Sequence, residues 1–394
     1  MALNLIRNSR VFFTTNVDSS GTVAASGFTS SNTFEIQVQD GFSFSQNTST
    51  ETVNISEGGA APIRGQRSFN TALEPVDWSF STYIRPFLSE GGTTTAGPDS
   101  DDYVDAEESV LWNALSSSIA IGSEGAGWVR TVGTSPLSTT SFTHSNSHQL
   151  QAFGLVIALE SVTYVIDNCA VESAGIDFGL DAIASIAWAG KGTVMRQIAA
   201  TTMVNNAGAG TVALTGGLTG SAKLKNTNAK YIANKLSTMA ISRTTFNGQS
   251  AKTYTIALTG GNLSVANNLT YLTPANLGAV NTPITYFTGA RAVTASVNAY
   301  LKTGSNESAT LLSDLLASST LDDENQFAVT IELGGATNAT KVVLDMPYVM
   351  LAIPTVSSEQ VISTTINLMP QAGSNTAYDI EGTNELAVKY YSAA

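Results

Sequence analysis

The chain is expected to be mainly β, built as two tandem copies of one β domain, each with a short flanking helix. Three observations predict this. Charged residues are only 12% of the 394, while the apolar share is 43%; soluble domains usually carry roughly 25% charge. Ser, Thr, Asn and 33 Gly fill the difference, and these uncharged groups suit strands and turns. Short runs alternate apolar and polar residues, which places one set on a single sheet face. Finally, the order of these runs recurs in the second half.

The elements follow in chain order. Phe34, Ile36 and Val38 alternate with Glu35, Gln37 and Gln39, and Phe42 and Phe44 with Ser43 and Ser45. Asp40-Gly41 between them predicts a two-residue hairpin turn. Val76, Trp78 and Phe80 alternate with Asp77, Ser79 and Ser81, a second strand. Asp105-Ala-Glu-Glu108 opens a helix with Val110, Leu111, Ala114 and Leu115 on one face; Asp105 is placed to cap it and Glu108 to reach back. Beyond a Ser/Thr-rich loop at 132–150, Leu155 to Ala170 and Ile183 to Trp188 read as further strands.

The second half repeats this order. Tyr254, Ile256, Leu258 and Gly260-Gly261 mirror Phe34, Ile36, Val38 and Asp40-Gly41. Val293, Ala295, Val297, Tyr300, Leu301 and Lys302 mirror Val76, Trp78, Phe80, Tyr83, Ile84 and Arg85. Leu311, Leu312 and Leu316 mirror Val110, Leu111 and Leu115. Further on, Phe327, Val329, Ile331 and Glu332 mirror Leu155, Ile157, Leu159 and Glu160, and Glu359, Val361 and Ser363 mirror Asp181, Ile183 and Ser185. The spacing between partners changes only across loops, which favours a duplication. The expected units are 1–200 and 231–394, joined by a Gly/Ala/Thr-rich linker or loop at 201–230.

Composition excludes several functions. The 31 Asp+Glu against 18 Lys+Arg give a net charge of −13, so no basic stripe is available to grip nucleic-acid phosphate. A single cysteine, Cys169, allows no intramolecular disulfide framework and no CxxC site; in its apolar run it reads as a small buried hydrophobe. The opening Met-Ala-Leu-Asn-Leu-Ile-Arg-Asn lacks an uninterrupted apolar core, so no secretory leader is expected. No apolar stretch reaches the length of a membrane-spanning helix. His144 and His148 lie in a polar loop without a third ligand, whereas catalytic zinc needs three. Thr215-Gly-Gly-Leu-Thr-Gly-Ser-Ala-Lys223 lacks the ending of a phosphate-binding loop, and Gly190-Lys191 has Gly192 where a hydroxyl is needed. Asp177 and Asp181 read as solvated turn acids. No catalytic constellation, metal site or cofactor site is expected, and the chain is read as a non-enzyme.

Three segments carry a resemblance. The opening through Phe13, the segment Phe34–Gln46 and Trp78-Ser-Phe-Ser-Thr-Tyr-Ile-Arg-Pro-Phe87 resemble tail tube proteins of tailed bacteriophages, and Asn384–Tyr391 is similar to the family's closing strand. The resemblance implies a β-sandwich or half-barrel in each copy, with sheets joined around rings of six domains that stack into a hollow tube for genomic DNA. With two copies per chain, three chains would close a ring of pseudo-sixfold symmetry. It also implies a protein made in the host cytoplasm and placed in the virion. Its partners would be further copies of itself and baseplate, terminator, tape-measure and possibly sheath proteins. DNA would pass without tight binding, and no membrane anchor is implied. Glu35, Gln37, Gln39, Ser43 and Ser45 are candidates for a neutral or negative lumen. Two long arms, Asn47–Ser68 and Asn267–Gly289, are candidates for contacts between rings, through Thr48, Glu57, Pro62, Ile63 and Arg64 in the first and Pro283 and Ile284 in the second. Tyr83, Ile84, Arg85 and Tyr300, Leu301, Lys302 are candidates for ring assembly. The rival readings are a terminator, baseplate or decoration protein of the virion, or a secreted surface-layer or adhesin protein.

Overall fold

The computed structural model describes residues 9–29, 32–53, 66–89, 102–116, 127–143, 149–159, 162–199, 201–204, 211–214, 230–243, 250–278, 280–318, 327–335, 340–357, 361–372 and 384–392. The first half contains β1 (Ser9–Thr14), β2 (Thr33–Ile36), β3 (Ser43–Val53), β4 (Arg67–Tyr83), β5 (Pro86–Ser89) and β6 (Tyr103–Ala106). Helix α1 (Ser109–Ser116) follows, then β7 (Trp128–Thr131), β8 (Leu137–Thr143), β9 (Phe153–Leu159), β10 (Val162–Asp177), β11 (Ser185–Gly192) and β12 (Met195–Ile198). Within the expected linker, β13 (Thr201–Val204) and β14 (Thr211–Leu214) form a ladder of their own. The second half contains β15 (Thr238–Arg243), β16 (Lys252–Ile256), β17 (Leu258–Ala266), β18 (Leu269–Leu272), β19 (Thr285–Thr288) and β20 (Ala292–Tyr300). After α2 (Ser308–Ser318) come β21 (Phe327–Gly334), β22 (Lys341–Leu351), β23 (Thr355–Ser357), β24 (Ser363–Pro370) and β25 (Asn384–Tyr391). The protein is mainly β, and every ladder is antiparallel.

One pairing scheme occurs twice. In the first half β1 joins β2 and β9, β9 joins β10, and β10 joins β12. In the second, β15 joins β16 and β21, β21 joins β22, and β22 joins β25. Opposite these layers lie β3–β4–β11–β10 and β17–β20–β24–β22. The long strands β10 and β22 serve both layers of their half, and irregularities at Ile166/Cys169 and Phe327/Val329 mark where the ladders bend, as bulges do. The two halves meet where β10 pairs β17, Ser173–Asp177 against Ala266–Asn262. A second junction pairs β25 with β8.

Apolar alternation makes this arrangement stable. Val76, Trp78 and Phe80 point inward with Ile186 and Trp188, all 5% exposed or less. Phe13 stacks on Phe153 at 4.4 Å, and Trp78 meets Phe153 edge-on at 6.2 Å, which joins the two layers. The continuous run Phe153–Leu159 is buried on both sides; its outer face is covered by Val23 and Phe28, which pack with Phe12, Val156 and Val165. Such two-sided burial is what a run without alternation demands.

Several local expectations need correction. Asp40-Gly41 does not turn a hairpin. β2 pairs β1 as far as Ile36, but Val38 already bridges Thr82 of β4 and the Gln39 N–H donates to the Ser81 carbonyl. The chain therefore changes layer before Val38, Asp40-Gly41 only interrupts a run that continues along β4 as β3, and Gly41 takes a φ of 102° that favours glycine. Leu155 to Ala170 is not one strand but β9 and β10 paired as a hairpin. Helix α1 begins at Ser109, and Glu108 supplies the carbonyl that accepts from the Leu111 and Trp112 N–H groups. Asp105 does not cap it: it lies in β6 and pairs with Arg130 at 2.5 Å, because β6 continues to Ala106. In α2, Leu311 and Leu315 are buried whereas Leu316 is 53% exposed.

Candidate functional site

The structure places a broad polar surface on the outer side of the layer β3–β4–β11–β10–β17–β20–β24. Because side chains alternate along a strand, the residues between the buried Trp78, Trp188, Leu263 and Val297 all face out. Register aligns them in rows: Ser43 with Ser79 and Ala189, and Ser45 with Asp77 and Lys191. The next rows set Gly175 beside Ser264 and Thr294, and Asp177 beside Asn262, Ser296 and Asn367. The charged side chains along these positions are Asp77, Asp177 and Lys191, and Lys191 lies 3.6 Å from Asp77. Along these rows the surface is small-residue, polar and nearly neutral, and larger side chains, Tyr83, Tyr300 and Met369, stand at the strand ends.

Ser43 and Ser45 lie on it, as do Ser79, Ser81, Ser264 and Ser296, which sequence reasoning did not single out. The signal was present in the alternation of Asp77, Ser79 and Ser81 with Val76, Trp78 and Phe80. Glu35 and Gln37 lie elsewhere, whereas Gln39 runs beside Ser81 of β4. Glu35 accepts two hydrogen bonds from Arg10, at 2.9 and 2.8 Å, and that guanidinium also covers the Phe12 ring. The Gln37 side-chain amide oxygen accepts from the Arg85 guanidinium. Gln39 is half-buried, with its backbone N–H on Ser81. The chain's passage from β1 at Ile36 to β4 at Val38 separates Glu35 from the β3 face.

The arms have apolar surfaces. β3 and β4 continue as a ladder to Val53 and Arg67, with Thr48 inside it, Val53 42% and Phe69 55% exposed. Glu57, Pro62, Ile63 and Arg64 lie outside the described residues, as do His144 and His148. The second arm is a hairpin of β18 and β19 that folds onto the first half. The Tyr271 hydroxyl is 2.9 Å from the carbonyls of Asn168 and Lys191, and the Tyr286 hydroxyl donates to Leu150. Pro283 is buried, and Ile284, Phe287 and Leu277 are exposed. Exposed large apolar groups on both arms make them candidates for contact surfaces.

The ring-assembly candidates sit at the ends of β4 and β20. Tyr83 meets Tyr231 edge-on at 5.3 Å, Arg85 covers the same ring at 4.8 Å and pairs with Glu107 at 3.5 Å, and Ile84 is buried. At the second site Tyr300 is 53% exposed and Lys302 pairs with Glu307 at 2.8 Å.

Buried polar groups serve packing. Glu108 is enclosed beside Arg85 N–H at 3.4 Å, next to Glu107 and the Tyr390 hydroxyl, which accepts from Trp112 at 2.7 Å. Burial pushes the Glu108 carboxyl up to about 8, so it is largely protonated at neutral pH. Burial also raises the Cys169 thiol, which removes thiolate reactivity. Gly190 is explained by packing: a Cβ there would lie 2.2 Å from the Trp78 ring. Among the described residues, no group of three or more His, Cys, Asp or Glu could hold a metal ion, and no helix is long and apolar enough to cross a membrane.

No family model matches the chain. It is 30% identical, over 374 residues, to tail tube protein pb6 of Escherichia phage T5, an alignment covering 93% of this chain and 72% of that protein. At this identity and coverage the chain belongs to the phage tail tube proteins, structural components of the virion.

Proposed function

We propose that three chains close into a ring of six quasi-equivalent domains, and that the rings stack into a tube whose lumen is the polar face described above. The observation that carries this reading is the β10–β17 seam. Each half presents the same layer, and at this seam the first half's long strand β10 pairs β17, the first strand of the second half's layer. The equivalent groups at the ends of the chain are the edges of β22–β23, Leu351–Ser357, and of β3, Ser43–Asn47. Open edges of this kind are templates for another chain, and repeating the seam between chains by a constant rotation closes a ring. Four strands from each of six domains, about 24 at roughly 4.8 Å spacing, give a barrel about 37 Å across its backbone before tilt. That leaves room for a double helix.

A near-neutral wall of Ser, Ala, Gly and Asn suits a conduit. DNA carries one charge per about 1.7 Å of axis, and a basic wall would hold it by releasing counterions. The exposed Phe69 and Val53 on one arm, and Ile284, Phe287 and Leu277 on the other, are the proposed contacts to the next ring. Baseplate, terminator and tape-measure proteins would meet the tube at its ends and along its length. Electron microscopy of the purified protein tests the reading: tubes or rings are expected, and a protein that stays monomeric at high concentration contradicts it.

A further inference from the structure

A segment of the second half covers the end of the first. Residues 230–236, leading into β15, run beside Ala182–Ala184. The Ala184 N–H donates to the Ile232 carbonyl at 2.9 Å, the Asn234 N–H donates to Ala182 at 3.1 Å, and Ile183 bridges Ala233. Tyr231 packs on Tyr83 beneath Arg85. Under this strap Ile84 and Ala184 are 0% exposed and Ile232 is 2% exposed, while Tyr83 and Ile183 at its margin keep 37% and 45%.

The second half builds the same pad. The Leu301 N–H donates to the Ile362 carbonyl at 2.9 Å, as Ile84 N–H donates to Ala184 at 3.0 Å. Here, however, Ile362 is 47%, Val361 59% and Tyr300 53% exposed. The centre of the pad, Ile84 and Ala184 in the first half, is covered there, whereas its counterparts Leu301 and Ile362 are half-buried and exposed, and Tyr300 and Val361 are each more exposed than Tyr83 and Ile183.

The covered pad identifies the occupant of the bare one. The strap is the lead-in to β15, the strand that corresponds to β1. In the ring, which this inference takes from the function proposed above, the domain beside the second half is the first half of another chain. The lead-in to its β1 is Ala2-Leu-Asn-Leu-Ile-Arg-Asn8, with Leu3, Leu5 and Ile6 as apolar groups. We infer that residues 2–8 of each chain strap across Tyr300, Leu301, Val361 and Ile362 of the neighbouring chain. The occupant is a second copy of this chain. Each closed ring would then hold three exchanged straps in addition to its sheet seams, and the Ile362 N–H would donate to a strap carbonyl as Ala184 does to Ile232.

Disulfide trapping tests it, because a β-bridge brings paired positions within disulfide reach. The Ile183–Ala233 bridge corresponds to Val361 on the pad and Leu5 on the strap. Chains carrying Leu5→Cys are mixed with chains carrying Val361→Cys, assembled and mildly oxidised; Cys169, fully buried, stays in place. Ile183→Cys with Ala233→Cys is the internal control. Covalent pairs between the two kinds of chain are expected, and covalent trimers when both cysteines are on every chain. Rings that form without the cross-link, or a cross-link formed only within one chain, overturn the strap while the ring stands. Failure of the unsubstituted protein to form rings overturns both. As a second readout, Leu3→Asp with Leu5→Asp should raise the concentration needed for ring assembly at least about tenfold and leave the melting of the unassembled chain unchanged. Unaltered assembly contradicts the inference.

Discussion

Glu108 shows how a single buried group shapes stability. Burial holds its carboxyl at about 8, against 4.5 for the free group. Between these values the unfolded chain releases a proton that the folded chain keeps. Its contribution is therefore complete below about pH 4.5 and is lost as pH rises towards 8, by on the order of a few kcal/mol. The groups facing it are Glu107, the Arg85 backbone and the Tyr390 hydroxyl. Glu108→Gln should flatten this dependence in denaturant titrations of unassembled protein at pH 5 and 8; an unchanged slope would assign it to other groups. Gly190→Ala is expected to destabilise by about 1–3 kcal/mol through overpacking against Trp78, and a denaturation midpoint equal to that of the unsubstituted protein would refute it. Neither role was legible in the sequence. Glu108 reads as a helix-start acid, and Gly190 as a turn glycine, until the fold brings Tyr390 and Trp78 against them from distant strands.

At the scale of elements, most strands were legible because alternation encodes a half-buried face. What alternation does not encode is which strand lies beside which. Asp40-Gly41 therefore read as a hairpin, although Gln39 and Ser43 both lie along β4, and the β9–β10 pairing was missed because the sequence between Leu159 and Val162 offers no Gly, Pro, Asn or Asp. The same limit separated Glu35 and Gln37 from the polar face: their alternation was correct, but the layer was not. The arms yield a prediction at this scale. Phe69→Asp and Phe287→Asp alter exposed positions, where substitutions usually change stability by no more than about 0.5 kcal/mol. Both variants should retain the circular dichroism and melting of the parent while forming rings that do not stack. Shortening Thr48–Ala61 should act in the same way. Tubes of normal length in all three variants would show that the arms do not join rings.

For the whole molecule, the sequence's low charge and many Ser, Thr and Gly residues become intelligible on the open face of one sheet. The face is wide because both halves contribute to it through a shared seam, and the lumen proposed for it explains its near neutrality, since a conduit must not bind what it conducts. Placing Arg at Ser79, Ser264 and Ser296 should leave tubes intact and slow DNA release, most at low salt, since counterion release strengthens steeply between roughly 200 and 50 mM. Release kinetics independent of this substitution would place the face away from DNA. The central claim, that one chain supplies two positions of a closed ring, is tested most directly by a reconstruction of the assembled tube that resolves individual chains. The account predicts three chains per ring, with Ser43–Asn47 of one paired to Leu351–Ser357 of the next and the polar face lining the lumen; six whole chains per ring, or a lumen lined by another surface, would contradict it.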